Sequence, residues 1–101
     1  PGAIVPPARR SNHFVGHAID FNLRYGTDFA LSCDSKCLGS PNPPPPVKAF
    51  IEAVQKTPGL RWGGDFNPKD PVHIDDGFNQ NLDLWQAKYE QVQKARAMGL
   101  A

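Results

Sequence analysis

Apolar and polar side chains alternate over residues 18–23. Ile19, Phe21 and Leu23 fall on one face, and Ala18, Asp20 and Asn22 on the other. The pattern predicts a strand with one buried face and one polar edge. Before it, residues 1–12 read as an extended, proline-rich entry, because Pro6 and Pro7 remove backbone donors. After it, residues 24–46 read as a long loop with Gly26, a cysteine pair and four prolines at 43–46. Loops of such length are usually functional or stapled. Val47, Phe50, Ile51 and Val54 then recur at helical spacing behind Pro46, which suits a first helical turn. Pro58 and Gly59 end that helix near Lys56 or Thr57. A short strand is expected over residues 60–62, and Gly63 and Gly64 mark a turn or a close backbone approach.

Residues 65–71 are polar with two prolines and read as a loop. Residues 72–75 predict a strand with Val72 and Ile74 on one side and His73 and Asp75 on the other. The last element is a helix over residues 84–98. Asp83 is its expected N-cap, Leu82, Trp85, Tyr89 and Val92 its apolar stripe, and Gly99 its stop. The fold class is α+β: a small antiparallel sheet with helices on one face. That last helix is expected to pack on its own sheet.

Length and charge narrow the function. A chain of 101 residues makes one domain with one modest core. Lys plus Arg is 11 and Asp plus Glu is 10, a net charge of +1, which argues against a nucleic-acid surface. No run approaches the roughly 18 apolar residues of a membrane span. No signal peptide is visible, and a start at Pro1 without Met reads as a trimmed chain. Cys33 and Cys37 stand at C-x₃-C spacing, neither a redox pair nor a complete zinc site. In an exported protein they would form a disulfide; in a cytosolic one they would be free thiols.

The candidate chemistry lies in two segments that hold all three histidines. One carries His13, His17 and Asp20. The other carries Asp65, Asp70, His73, Asp75 and Asp76. Gly16 permits a turn between His13 and the strand that bears Asp20. A carboxylate between Ile19 and Phe21 is costly unless paired or ligating. With His73 it completes two imidazoles and a carboxylate, a donor set of catalytic zinc sites whose open fourth position holds water. Asp70 then serves as the base that takes a proton from that water and returns it to a leaving amine. Each residue also has a plainer reading: solvated loop histidine, strand histidine bonded to Asp75, edge-strand carboxylate, turn aspartate. His17 follows His13 by four residues, but no glutamate follows His13, so the H-E-x-x-H signature is absent. His17 ranks below His13 as a ligand and is placed behind the ligands or facing substrate. Ser11, Ser32, Ser35 and Ser40 lie in no nucleophile-elbow context. The aspartates lack the order of a calcium loop, and no phosphate-cradling or dinucleotide glycine motif occurs.

The run from Ser11 to Asp20 fits S-x-H-x-x-G-x-A-x-D. Trp62-Gly63-Gly64-Asp65-Phe66, followed by Asp70-Pro71-Val72-His73, fits W-G-G-D-aromatic and then D-x-x-H. Together these resemble the zinc D-Ala-D-Ala carboxypeptidase family, which includes VanY-like enzymes and phage L-alanyl-D-glutamate endopeptidases. The same histidine–aspartate–histidine site recurs in the hedgehog signalling domain. The resemblance implies a hedgehog- and D-Ala-D-Ala-peptidase-like zinc fold. It implies Zn²⁺ on His13, Asp20 and His73, with Asp70 as general base and acid. Ser11 becomes a support for loop or substrate, and Trp62 and Asp65 shape the floor beside the site. Asp75 is placed with His17, behind the ligands or against substrate. Three departures stand out. Phe66 replaces a common tryptophan. Asp75 and Asp76 follow His73 where an aromatic–glutamate pair is frequent. The resemblance places a carbonyl-polarising arginine on a segment upstream of Ser11 that is expected to be missing here, and neither Arg9 nor Arg10, the candidates to substitute for it, lies where the pattern places it.

The expected activity is therefore zinc-dependent hydrolysis of an amide bond next to a D-amino acid in peptidoglycan stem peptides. Carboxypeptidase and endopeptidase both remain open. The expected agent is a secreted or periplasmic monomer that is the C-terminal part of a longer precursor. The rival reading is a non-catalytic zinc module for binding or assembly, and a third is a metal-free secreted domain.

Overall fold

The computed structural model describes residues 10–99. The extended entry expected at residues 1–9, with Arg9, lies outside them. Five strands and three α-helices occur among the described residues: β1 (Ala18–Asp20), β2 (Leu23–Tyr25), β3 (Leu31–Cys33), α1 (Ser35–Leu38), α2 (Pro45–Lys56), β4 (Arg61–Trp62), β5 (His73–Asp75) and α3 (Leu82–Ala97). They fall into two compact units, Ile19–Asp76 and the two chain segments on either side of it.

Within Ile19–Asp76, β1, β5 and β4 are hydrogen-bonded in that order. β4 and β5 are antiparallel, with Arg61 opposite Asp75 and Trp62 opposite Ile74. β2 and β3 form a separate antiparallel pair, with Leu23 opposite Cys33 and Tyr25 opposite Leu31. The core joins Cys33, Leu38, Val47 and Ile51, with Phe21, Leu23, Tyr25, Trp62 and Val72 packed against it. α2 follows the predicted span. Pro44 and Pro45 open it, and Val47, Ile51 and Val54 form its buried stripe. The short sheet with α2 on its apolar side is the expected α+β arrangement, consistent with the hedgehog-like zinc-peptidase fold.

Two expectations are corrected here. The alternation over residues 18–23 is not one strand. β1 stops at Asp20, Phe21 donates its N–H to the Val72 carbonyl at 2.8 Å, and β2 then starts in the other sheet. Ile19 is consequently exposed at 60%, while Phe21 packs on Phe50 with ring centroids 5.7 Å apart. The stretch 24–46 is no structureless loop either. It contains β3, α1 and part of β2, elements too short to show a period. Asp28 and Phe29 turn the hairpin at positive φ, and Arg24 Nε holds the turn by donating to the Phe29 carbonyl at 3.0 Å. Asp34 caps α1 by accepting from Cys37 N–H at 3.1 Å, and Cys33 and Cys37 are joined by a disulfide.

The flanking unit is built on α3. Its N-cap is Asn81, whose side-chain oxygen accepts from Leu84 N–H at 3.1 Å; the expected cap, Asp83, lies inside the first turn. Leu82 is exposed, so the stripe runs through Trp85, Tyr89 and Val92 without it. α3 packs on a 3₁₀ turn at Asn12–Val15 and another at Phe78–Gln80. Trp85 is fully buried and stacks on Tyr89 at 5.0 Å, and Phe14 meets Tyr89 edge-on at 6.4 Å. No helix of the described residues is long and apolar enough to cross a membrane.

Candidate metal centre

His13 sits in the 3₁₀ turn Asn12–Val15. Ser11 caps this turn, its hydroxyl accepting the His13 N–H at 3.2 Å, so Ser11 supports the loop. Gly16 closes the turn in the left-handed region at φ 77°, the conformation that lets the chain enter β1. The turn is further pinned through Asn12, whose Nδ2 donates to Asn79 Oδ1 at 3.2 Å, while Asn79 Nδ2 donates to the Arg10 carbonyl at 2.9 Å. Trp85 Nε1 donates to the Ser11 carbonyl at 2.9 Å. His17 stacks on Phe78, with centroids 4.0 Å apart and planes at 12°.

Asp20 ends β1 and His73 begins β5, adjacent strands of one sheet. His73 and Asp75, predicted to share a strand face, do so and are both buried, at 6% and 4% exposure. His73 Nε2 lies 2.6 Å from Asp75 Oδ2. Asp75 in turn receives Arg61 Nε at 2.7 Å and its terminal nitrogen at 2.9 Å. The loop before His73 is tightly fixed. Asp70 N–H donates to the Gly63 carbonyl at 2.8 Å and His73 N–H to the Asp70 carbonyl at 3.1 Å. Trp62 Nε1 donates to the Pro71 carbonyl at 2.8 Å. Gly63 is obligatory, because a Cβ there would collide with the Asp70 carbonyl oxygen and come within 2.7 Å of His73 Cβ. Asp70 Oδ2 stands 3.8 Å from His73 Nδ1, with its side chain half exposed. Asp65 is exposed and receives Gln55 Nε2 on both carboxylate oxygens at 3.1 Å, which ties the W-G-G-D stretch to α2.

One ligand atom each from His13, Asp20 and His73 lies within 4.8 Å of the other two. Zinc fits this donor set. Two imidazoles and one carboxylate are borderline ligands that leave a fourth position open. The Asp75 carboxylate on His73 Nε2 is the outer hydrogen bond that fixes a metal-bound imidazole. With Nε2 so engaged, Nδ1 is the His73 nitrogen that would hold a metal. The sequence pattern located all three donors. It missed Arg61, Asn12 and Asn79, whose partners lie across a strand pair or far along the chain. Arg10 is exposed.

The site and its α+β frame define a zinc metallopeptidase centre. Residues 6–76 match the family model described as D-alanyl-D-alanine carboxypeptidase, and the chain belongs to this family. No curated protein and no solved structure matches the chain. A zinc-dependent hydrolase of peptidoglycan peptides accounts for both the family and the His–Asp–His cluster, and the family's function implies an extracytoplasmic role.

Proposed function

We propose that residues 1–101 work as one peptidase domain that cuts an amide bond adjoining a D-amino acid in a peptidoglycan stem peptide. The observation that carries this reading is the convergence of His13, Asp20 and His73 beside Asp70 Oδ2, 3.8 Å from His73 Nδ1. A zinc ion held by three protein groups supplies Lewis acidity and lowers the pKa of water at its open position. Asp70 is the general base. Its backbone is clamped to Gly63 while its carboxylate reaches solvent, so it can take a proton from the attacking water and pass it to the departing amine. Ser11 and Trp62 act by holding the segments that bear His13 and His73. His17, stacked on Phe78, and Asp65 flank the histidine turn and the W-G-G-D floor as surfaces for substrate. The enzyme is a secreted or periplasmic monomer, and the Cys33–Cys37 bond suits such an oxidising compartment.

Asp70→Asn tests the assignment. The variant retains about one zinc per chain by elemental analysis and loses cleavage of purified muropeptides by at least about a hundredfold, the low end of general-base contributions. A variant that cleaves as fast as the parent overturns Asp70 as base. A parent that binds no zinc overturns the peptidase reading and leaves the metal-free domain.

A further inference from the structure

Arg61 borders the metal centre without a role assigned to it so far, and it makes a two-point charged contact there. Its guanidinium forks onto both oxygens of Asp75, at 2.7 and 2.9 Å. The two are direct cross-strand partners in β4 and β5. Asp75 passes the contact on, its Oδ2 meeting His73 Nε2 at 2.6 Å. The Asp75 side chain is 2% exposed and that of His73 7%, whereas Arg61 reaches the surface at 31%. Phe66 covers the fork. Its ring lies 4.9 Å from the Arg61 guanidinium carbon and 5.4 Å from the His73 ring.

We infer that Arg61 is a positioning residue for the metal centre, acting through Asp75 on His73; this rests on the zinc-peptidase reading above. Three physical arguments support it. A bidentate guanidinium holds both oxygens of the buried Asp75 carboxylate in place, one of them against the His73 imidazole. A hydrogen bond on Nε2 fixes the tautomer that leaves Nδ1 as the donor and holds the ring plane. The fork is planar and set by strand register, so the carboxylate cannot rotate about its own axis, a constraint that a single ammonium would not impose. Phe66 then covers the pair on one side.

The test measures zinc affinity by chelator competition, with melting of the chelated protein recorded in parallel. Arg61→Met and Asp75→Asn are each expected to weaken zinc binding by about 10- to 100-fold, the range for outer partners of ligating histidines. Arg61→Lys keeps the charge without the fork and should recover only part of the loss. In an Asp75→Asn background, Arg61→Met should add less than about threefold, because the guanidinium has nothing left to orient. The absorption spectrum of the cobalt-substituted protein should shift in both single variants. Lys69→Met, on the exposed loop, is the control and should leave affinity unchanged.

If Arg61→Met lowers the melting point of the chelated protein but leaves zinc affinity and the cobalt spectrum as in the parent, Arg61 is a scaffold residue and the inference fails. Equal losses from Arg61→Met with and without Asp75 also refute action through Asp75. Should Arg61→Met not fold, Arg61→Lys and Arg61→Gln decide by the same criterion. A parent without measurable zinc affinity removes both the inference and the function beneath it. A parent that binds zinc and cleaves while every Arg61 variant binds equally well removes only the inference.

Discussion

At the scale of single residues, the site depends on groups that leave no room for change. Gly63 lets the backbone that carries Asp70 pass directly over it, against His73 Cβ. Gly63→Ala should therefore destabilise the protein by about 3 kcal/mol, the upper part of the overpacking range, and lower its zinc content. Urea unfolding with elemental analysis checks both, and an unchanged midpoint contradicts the crowding argument. His13, Asp20 and His73 were legible in the sequence because metal chemistry restricts the residue types, and Gly16 and the alternating pattern placed them. The close approach at Gly63 was legible for the same kind of reason. The contacts that hold the donors were not. Ser11 caps through a hydroxyl, Asn12 reaches Asn79, and Arg61 reaches Asp75, pairings that only the folded chain creates.

At the scale of elements, length decided what could be read. α2 runs for 12 residues with Pro at its start, and its period and its stop were both visible. The strands β1, β2, β3 and β5 have three residues each and β4 two. A run of alternation over residues 18–23 therefore hid a change of sheet at Phe21, and the hairpin and α1 were hidden inside an expected loop. Proline and glycine spelled a loop there, while Asp34 and the disulfide built a helical turn. In α3 the cap was displaced by two positions, because Asn81 and Asp83 are both good capping residues and only geometry chooses between them. Asn81→Ala should cost about 1 kcal/mol of stability, and Asp83→Ala about 0.5 kcal/mol through the helix dipole. Thermal melts of the two variants test this order; the reverse order would return the cap to Asp83.

At the scale of the whole molecule, two imidazoles and a carboxylate held within 4.8 Å link metal binding to folding. A metal held by His13, Asp20 and His73 would bind the folded chain and not the unfolded one. Chelation should lower the melting temperature by about 10 °C or more for a zinc-saturated small domain, and added zinc should restore it. An unchanged melt after verified zinc loss would show that the donors converge without help from metal. The fold class could be read from the order of helix and strand signals. The clustering of residues on either side of Ile19–Asp76 into one unit could not, since it joins segments far apart in sequence.

The two tryptophans carry a consequence of their own. Trp62 Nε1 is bonded to the carbonyl of Pro71, and Trp85 Nε1 to that of Ser11. Each acceptor stands two residues before a donor histidine, His73 and His13 respectively. The chain thus contains its own optical gauge: displacement of either histidine segment alters the polarity around an indole. Stripping the metal should move the emission maximum to longer wavelength, and replacing each indole by phenylalanine in turn would show which ligand lets go first.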